Sequence, residues 1–151
     1  MDVDARRRLV EKALAIIDDG NTLLVVSLEE FFVGNTDEAS IGVNLVPEQH
    51  IGLNGYRRVL ESIHERPDVQ DVFLELTEIP DLDEPADDGI WPTACVAFIV
   101  TSAALSEVKE WVEPLYPRSV DEGWNVQAGV KVPLPDADLL TGMRPVRVWL
   151  L

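Results

Sequence analysis

The side chains from which a site could be built are two histidines, one cysteine, six serines and a large excess of carboxylates. A serine nucleophile of the hydrolase type needs the tight Gly-x-Ser-x-Gly turn, and none of Ser27, Ser40, Ser62, Ser102, Ser106 or Ser119 lies in that context. Gly52-Leu53-Asn54-Gly55 lacks the lysine and further glycines of a phosphate-cradling loop and reads as the entry to a helix. His50 and His64, with Glu48, Glu61 and Glu65 nearby in sequence, are the raw material of a two-histidine, one-carboxylate metal site. They are 14 residues apart, and no His-x-x-x-His spacing puts both on one face, so a loop histidine and a surface helix histidine are the plainer reading. Asp81-x-Asp83-Glu84 begins like a calcium loop, but its glycine and terminal glutamate fall at the wrong positions. Cys95 sits inside the apolar run Ala94 to Val100, the setting of a small buried hydrophobe rather than of a reactive thiolate. The expectation is therefore no catalytic residue, no metal and no cofactor, and not an enzyme. Catalysis by scattered carboxylates, with or without a metal, stays open as an alternative, because so many acids must place some pairs close together.

The carboxylates matter more as a field. There are 28 acidic and 12 basic side chains, a formal charge of −16. Such a chain repels nucleic-acid phosphates and anionic lipid, so neither nucleic acid nor a membrane surface is expected as a partner, and a strong partner should be basic. The excess is regional: residues 67–143 carry 3 basic and 16 acidic side chains, −13 of the total. It concentrates in the loop holding Asp83, Glu84, Asp87 and Asp88, in Glu107, Glu110 and Glu113 spaced by three along one helix, and in Asp121 and Glu122. Trp91 and Trp124 adjoin these acids and are the candidate aromatic anchors. These eleven residues form the expected partner-binding surface. The competing reading is a solvated acidic face that keeps the protein dispersed.

The elements that must carry these residues follow from periodicity. Leu9, Val10, Ala13, Leu14 and Ile17 define a first helix over about 4–18 with Asp4 as its cap. Thr22 to Ser27 reads as a strand, and Ser40 to Leu45 as a second one weakened by Gly42. Tyr56, Val59, Leu60 and Ile63 give a second helix capped by Asn54 and stopped before Pro67. Gln70 to Ile79 alternates, whereas residues 94–100 are apolar throughout, as in a central strand covered on both faces. A third helix turns Leu105, Val108, Val112 and Leu115 inward. A long excursion from Arg118 to Pro145 follows, with strand character only over 126–132, before a terminal strand at 146–151. The result is one α+β domain spanning residues 1–151, with an antiparallel or mixed sheet of the split βαβ, ferredoxin-like type and an extra helix and strand in front.

Leu28-Glu29-Glu30-Phe31-Phe32-Val33-Gly34-Asn35-Thr36-Asp37-Glu38-Ala39-Ser40-Ile41, Glu65 to Val72 and the Trp91-Pro92 pair resemble a family of small acidic bacterial proteins similar to the immunity proteins of polymorphic toxin systems. The likeness spans residues 23–124 and transfers no functional residue. It implies a stoichiometric inhibitor that covers a basic toxin domain, in agreement with the separate argument from charge. The alternative is a small-ligand-binding or regulatory domain acting as a homodimer. With a single cysteine and an N-terminal stretch Met1-Asp2-Val3-Asp4-Ala5-Arg6-Arg7-Arg8 unlike a secretory signal, the expected compartment is the cytoplasm.

Overall fold

Asp2 starts the first element: its carboxylate accepts the backbone N–H groups of Asp4 and Ala5 at 3.0 and 3.1 Å, and helix α1 runs over Val3–Asp19 until Gly20, at φ 71°, ends it. The cap is thus two residues before Asp4. The computed structural model describes residues 1–83 and 90–151. Strand β1 (Val25–Ser27) passes directly into the short helix α2 (Leu28–Phe32). A reciprocal capping box fixes that corner, since the Ser27 hydroxyl accepts from the Glu30 N–H and the Glu30 carboxylate accepts from the Ser27 N–H. The turn drives Phe31 and Phe32 into the core, edge to face.

Helix α3 (Leu53–His64), strand β2 (Val69–Glu78), strand β3 (Thr93–Thr101), helix α4 (Leu105–Val112) continued by a 3-10 turn over Glu113–Leu115, strand β4 (Ser119–Glu122) and strand β5 (Arg144–Trp149) complete the chain. The five strands form one antiparallel sheet in the order β1-β2-β3-β5-β4. The α+β class, the antiparallel sheet and the leading helix agree with the sequence reading. One expected strand does not form. Ser40 ends a 3-10 turn over Glu38–Ser40, and the rest of the segment to Leu45 makes only a single parallel bridge, Ile41 to Ala94. Gly42 takes φ 67° there, beneath the Tyr56 hydroxyl, so the segment cannot stay extended beside β3. β3 therefore pairs with β5 directly, without a strand between them as in the ferredoxin-like order. The strand expected at 126–132 is likewise reduced to one bridge, between Lys131 and Thr22, and the excursion's strand is β4 instead.

The two faces of the sheet are covered differently. Val72, Leu74 and Leu76 of β2, Ala97 and Ile99 of β3 and Val146 and Val148 of β5 pack under helical residues including Ala13, Leu60, Ile63, Val108 and Val112. On the other face Phe73, Phe98 and Trp149 lie beneath the excursion, which lays Trp124 across them, its ring 5.0 Å from Phe98 and 6.4 Å from Phe73. The excursion is tied back by backbone bonds between Lys131 and residues 21 and 23, and by Gln70, which bonds Asp138 and Leu140. β3 is buried on both sides, as its unbroken apolar run requires.

Candidate functional site

α4 is positioned by its apolar stripe. Val108 and Val112, with Leu115 in the turn that follows, are fully buried, which forces Glu107, Glu110 and Glu113 outward into solvent. Pro114 ends the α-helical pattern, and Tyr116 then adopts φ 51°, a left-handed backbone uncommon for a bulky residue, to reverse the chain into β4. Between the end of α4 and β4 this reversal leaves an open groove of about 690 Å³. Glu110 and Glu113 form its acidic side; Pro114, Tyr116, Pro117 and Val120 form an apolar floor, and Lys109 stands at its rim. Tyr116 is 50% exposed, so a large ring is presented to solvent beside two carboxylates. Asp121 and Glu122 extend the acidic surface along β4, with Glu122 also paired to Arg144 at 3.1 Å.

The expected site residues do not all belong to this surface. Glu84, Asp87 and Asp88 lie outside the described residues, and Asp83 is exposed but does not line the groove. Glu107 is exposed one turn before it. Trp91 is 1% exposed, a core residue whose backbone N–H is held by the Asp37 carboxylate at 3.0 Å, and it cannot anchor a partner. Trp124 is half-buried against Phe98 and Phe73 and closes the second core. Both tryptophans adjoin acids in sequence, yet the sheet takes their rings. Tyr116 is the aromatic that faces outward. Nothing in its sequence context singled it out, because the flanking prolines read only as helix stops.

The remaining chemistry-bearing groups serve the fold. His50 accepts from the Gly52 N–H through Nδ1 and so donates through Nε2 to the Ile41 carbonyl at 2.8 Å, fastening the loop before α3. The N-terminus of α3 is capped by the distant Glu38, whose carboxylate accepts from the Leu53 N–H at 2.6 Å, rather than by Asn54. His64 instead faces Asp71 at 3.3 Å. Among the described residues no three His, Cys, Asp or Glu side chains are placed to hold a metal. Cys95 sits beside Glu75, and burial together with that carboxylate pushes its thiol up to about 12, the opposite of an activated nucleophile. Burial also raises the Glu75 carboxyl above its ordinary value, against the pull of Arg147. Among the described residues no helix is long and apolar enough to cross a membrane.

The sheet, its helical cover and the groove define an α+β domain with an acidic, partly apolar recess at one sheet edge. Residues 4–148 match the family described as the uncharacterized protein YfbO family, and the chain belongs to it. The uncharacterized protein YfbO of Escherichia coli (strain K12) is 35% identical over 129 residues, covering 83% of this chain and 81% of that protein. No solved structure matches the chain.

Proposed function

We propose that this protein is a non-enzymatic acidic binding protein that docks a basic protein domain, in the manner of an immunity protein or stoichiometric inhibitor of a toxin. The observation that carries the reading is the groove between α4 and β4, where Glu110 and Glu113 flank an apolar floor containing the exposed Tyr116. Carboxylates on the approach steer a cationic partner and raise its association rate, while an exposed ring and prolines supply the apolar area that holds it. Like charges crowded along one helix cost stability in the free protein, and a basic partner relieves that cost.

The test is kinetic. Proteins that co-purify with the chain from its own host are identified by mass spectrometry, and association with a purified candidate is followed by stopped flow at several salt concentrations. A partner with a strongly basic binding domain is expected, and reversing Glu107, Glu110 and Glu113 to lysine should slow association about tenfold or more and flatten its salt dependence. Association of the triple variant at the wild-type rate would sink the proposal. A second reading, a homodimeric ligand-binding domain, is favoured by the exposed Val43, Val46 and Ile51, which crowd the region of a cavity of about 440 Å³ lined by Leu45, Pro47 and His50. Light scattering that returns a stable dimer in the absence of any partner would support it over the first.

A further inference from the structure

Backbone geometry at the edge of the sheet says what form the partner takes. Among the described residues β4 pairs only with β5, and the register Ser119 to Trp149 and Asp121 to Arg147, continued by the Gly123 N–H bond to the Pro145 carbonyl at 2.9 Å, turns the backbone groups of residues 119, 121 and 123 toward β5. Leu150 donating to the Cys95 carbonyl fixes the same phase from the other side of β5. The N–H and C=O groups of Val120 and Glu122 therefore point out of the sheet, and among the described residues they take no hydrogen-bond partner. An open strand edge is a template for another strand. Side chains of a strand added there would alternate, those opposite Val120 and Glu122 falling on the α4 side, where the groove lies, and their neighbours on the side of Asp121.

We infer that the groove is filled by an extended, lysine- and arginine-rich segment that adds to the sheet as a sixth strand beside β4. This rests on the docking reading above and names its partner's form. Charge selects the occupant: on one face the added strand meets Glu110 and Glu113, which outnumber Lys109 in the groove, and Glu122, shared with Arg144, and on the other it meets Asp121. A second copy of this chain pairing antiparallel through its own β4 sets Asp121 against Asp121 when centred on that residue, or Glu122 against Glu122 when centred on the next, each a repulsive pair. Main-chain bonds supply affinity and the alternate side chains supply specificity, as in other strand-addition complexes.

The experiment uses the whole protein and a ten-residue peptide of alternating lysine and valine, labelled and titrated by fluorescence anisotropy at low ionic strength. Three comparisons accompany it: the same peptide N-methylated at alternate residues, in each of the two possible phases; the Val120→Pro variant; and the Glu110→Lys/Glu113→Lys variant. Binding that falls tenfold or more on N-methylation in one phase but not the other, and that also falls in both protein variants, is the expected result. Val120→Pro removes an outward N–H and no ladder bond, so circular dichroism should be unchanged; if that variant fails to fold, the methylated peptides still decide. Binding lost with Glu110→Lys/Glu113→Lys yet indifferent to N-methylation in both phases overturns strand addition while leaving the acidic docking surface standing. No binding of the peptide overturns strand addition as well, and the kinetics of the purified partner then judge the docking surface separately.

Discussion

Burial keeps the protons of Cys95 and Tyr56 on the folded protein well above their ordinary range, both pushed up to about 12. In the unfolded chain these groups lose their protons near 9 and 10, so between there and pH 12 the unfolded state binds fewer protons than the native one and stability falls as pH rises. Urea midpoints should decline steadily above pH 9, and Cys95→Ala should remove part of that slope. A midpoint indifferent to pH up to 12 would contradict the burial of both groups. Glu75 acts in the same sense at the acid end. Its carboxyl is raised by burial, so ionisation at neutral pH opposes folding, and Glu75→Gln should melt higher than the parent at pH 7 with the advantage shrinking toward pH 4. The Tyr56 hydroxyl is buried without a hydrogen-bond partner among the described residues, which makes Tyr56→Phe neutral or stabilising and a further test of the alkaline slope.

At the scale of elements, the positions that resisted reading are those fixed by residues far away in sequence. Gly42 looked like a weak point inside a strand, but it takes a left-handed backbone packed so closely under the Tyr56 hydroxyl, across the loop, that a Cβ does not fit there. Gly42→Ala should lower stability by about 1–3 kcal/mol, since the added methyl meets the Tyr56 hydroxyl and the backbone strains as well. Denaturant titration checks it. Helices α1, α3 and α4 and the central strand were legible because each carries its own signal, such as the 3.6-residue apolar stripe of α3 and α4 and the uninterrupted apolar run of β3, whereas the five residues of α2 are too few to show one. β4 carries no such signal. Its four residues Ser119 to Glu122 are strand only because β5, more than twenty positions later, offers a paired edge. The acidic stripe was visible for the same local reason as α4, whereas the role of Trp124 was decided by Phe98 and Phe73 on two other strands. Trp124→Ala should therefore cost about 2–3 kcal/mol of stability through lost packing, less than a fully buried tryptophan, without slowing association with a basic partner. A variant of wild-type stability that binds poorly would return Trp124 to the interface.

For the molecule as a whole, the charge of −16 is a standing load on the native state that a monomer without a partner must carry. Because −13 of it falls in residues 67–143, the load is uneven along the chain, and Glu110 and Glu113 bring part of it to the groove. A surface shaped for binding is expected to be less than optimal for stability, and relieving it should make the protein more robust while impairing its task. Glu110 sits three residues from both Glu107 and Glu113, so Glu110→Lys turns two repulsive spacings into attractive ones. In calorimetry at about 10 mM salt the variant should unfold higher than the parent by about 2 °C. The gap should close near 0.3 M salt, where the screening length falls to about 6 Å. The parent itself should gain thermal stability over the same salt range. If Glu110→Lys instead lowers the unfolding temperature at low salt, the carboxylate is held by contacts that stabilise the fold, and the stripe is part of the structure rather than a surface kept open for a partner.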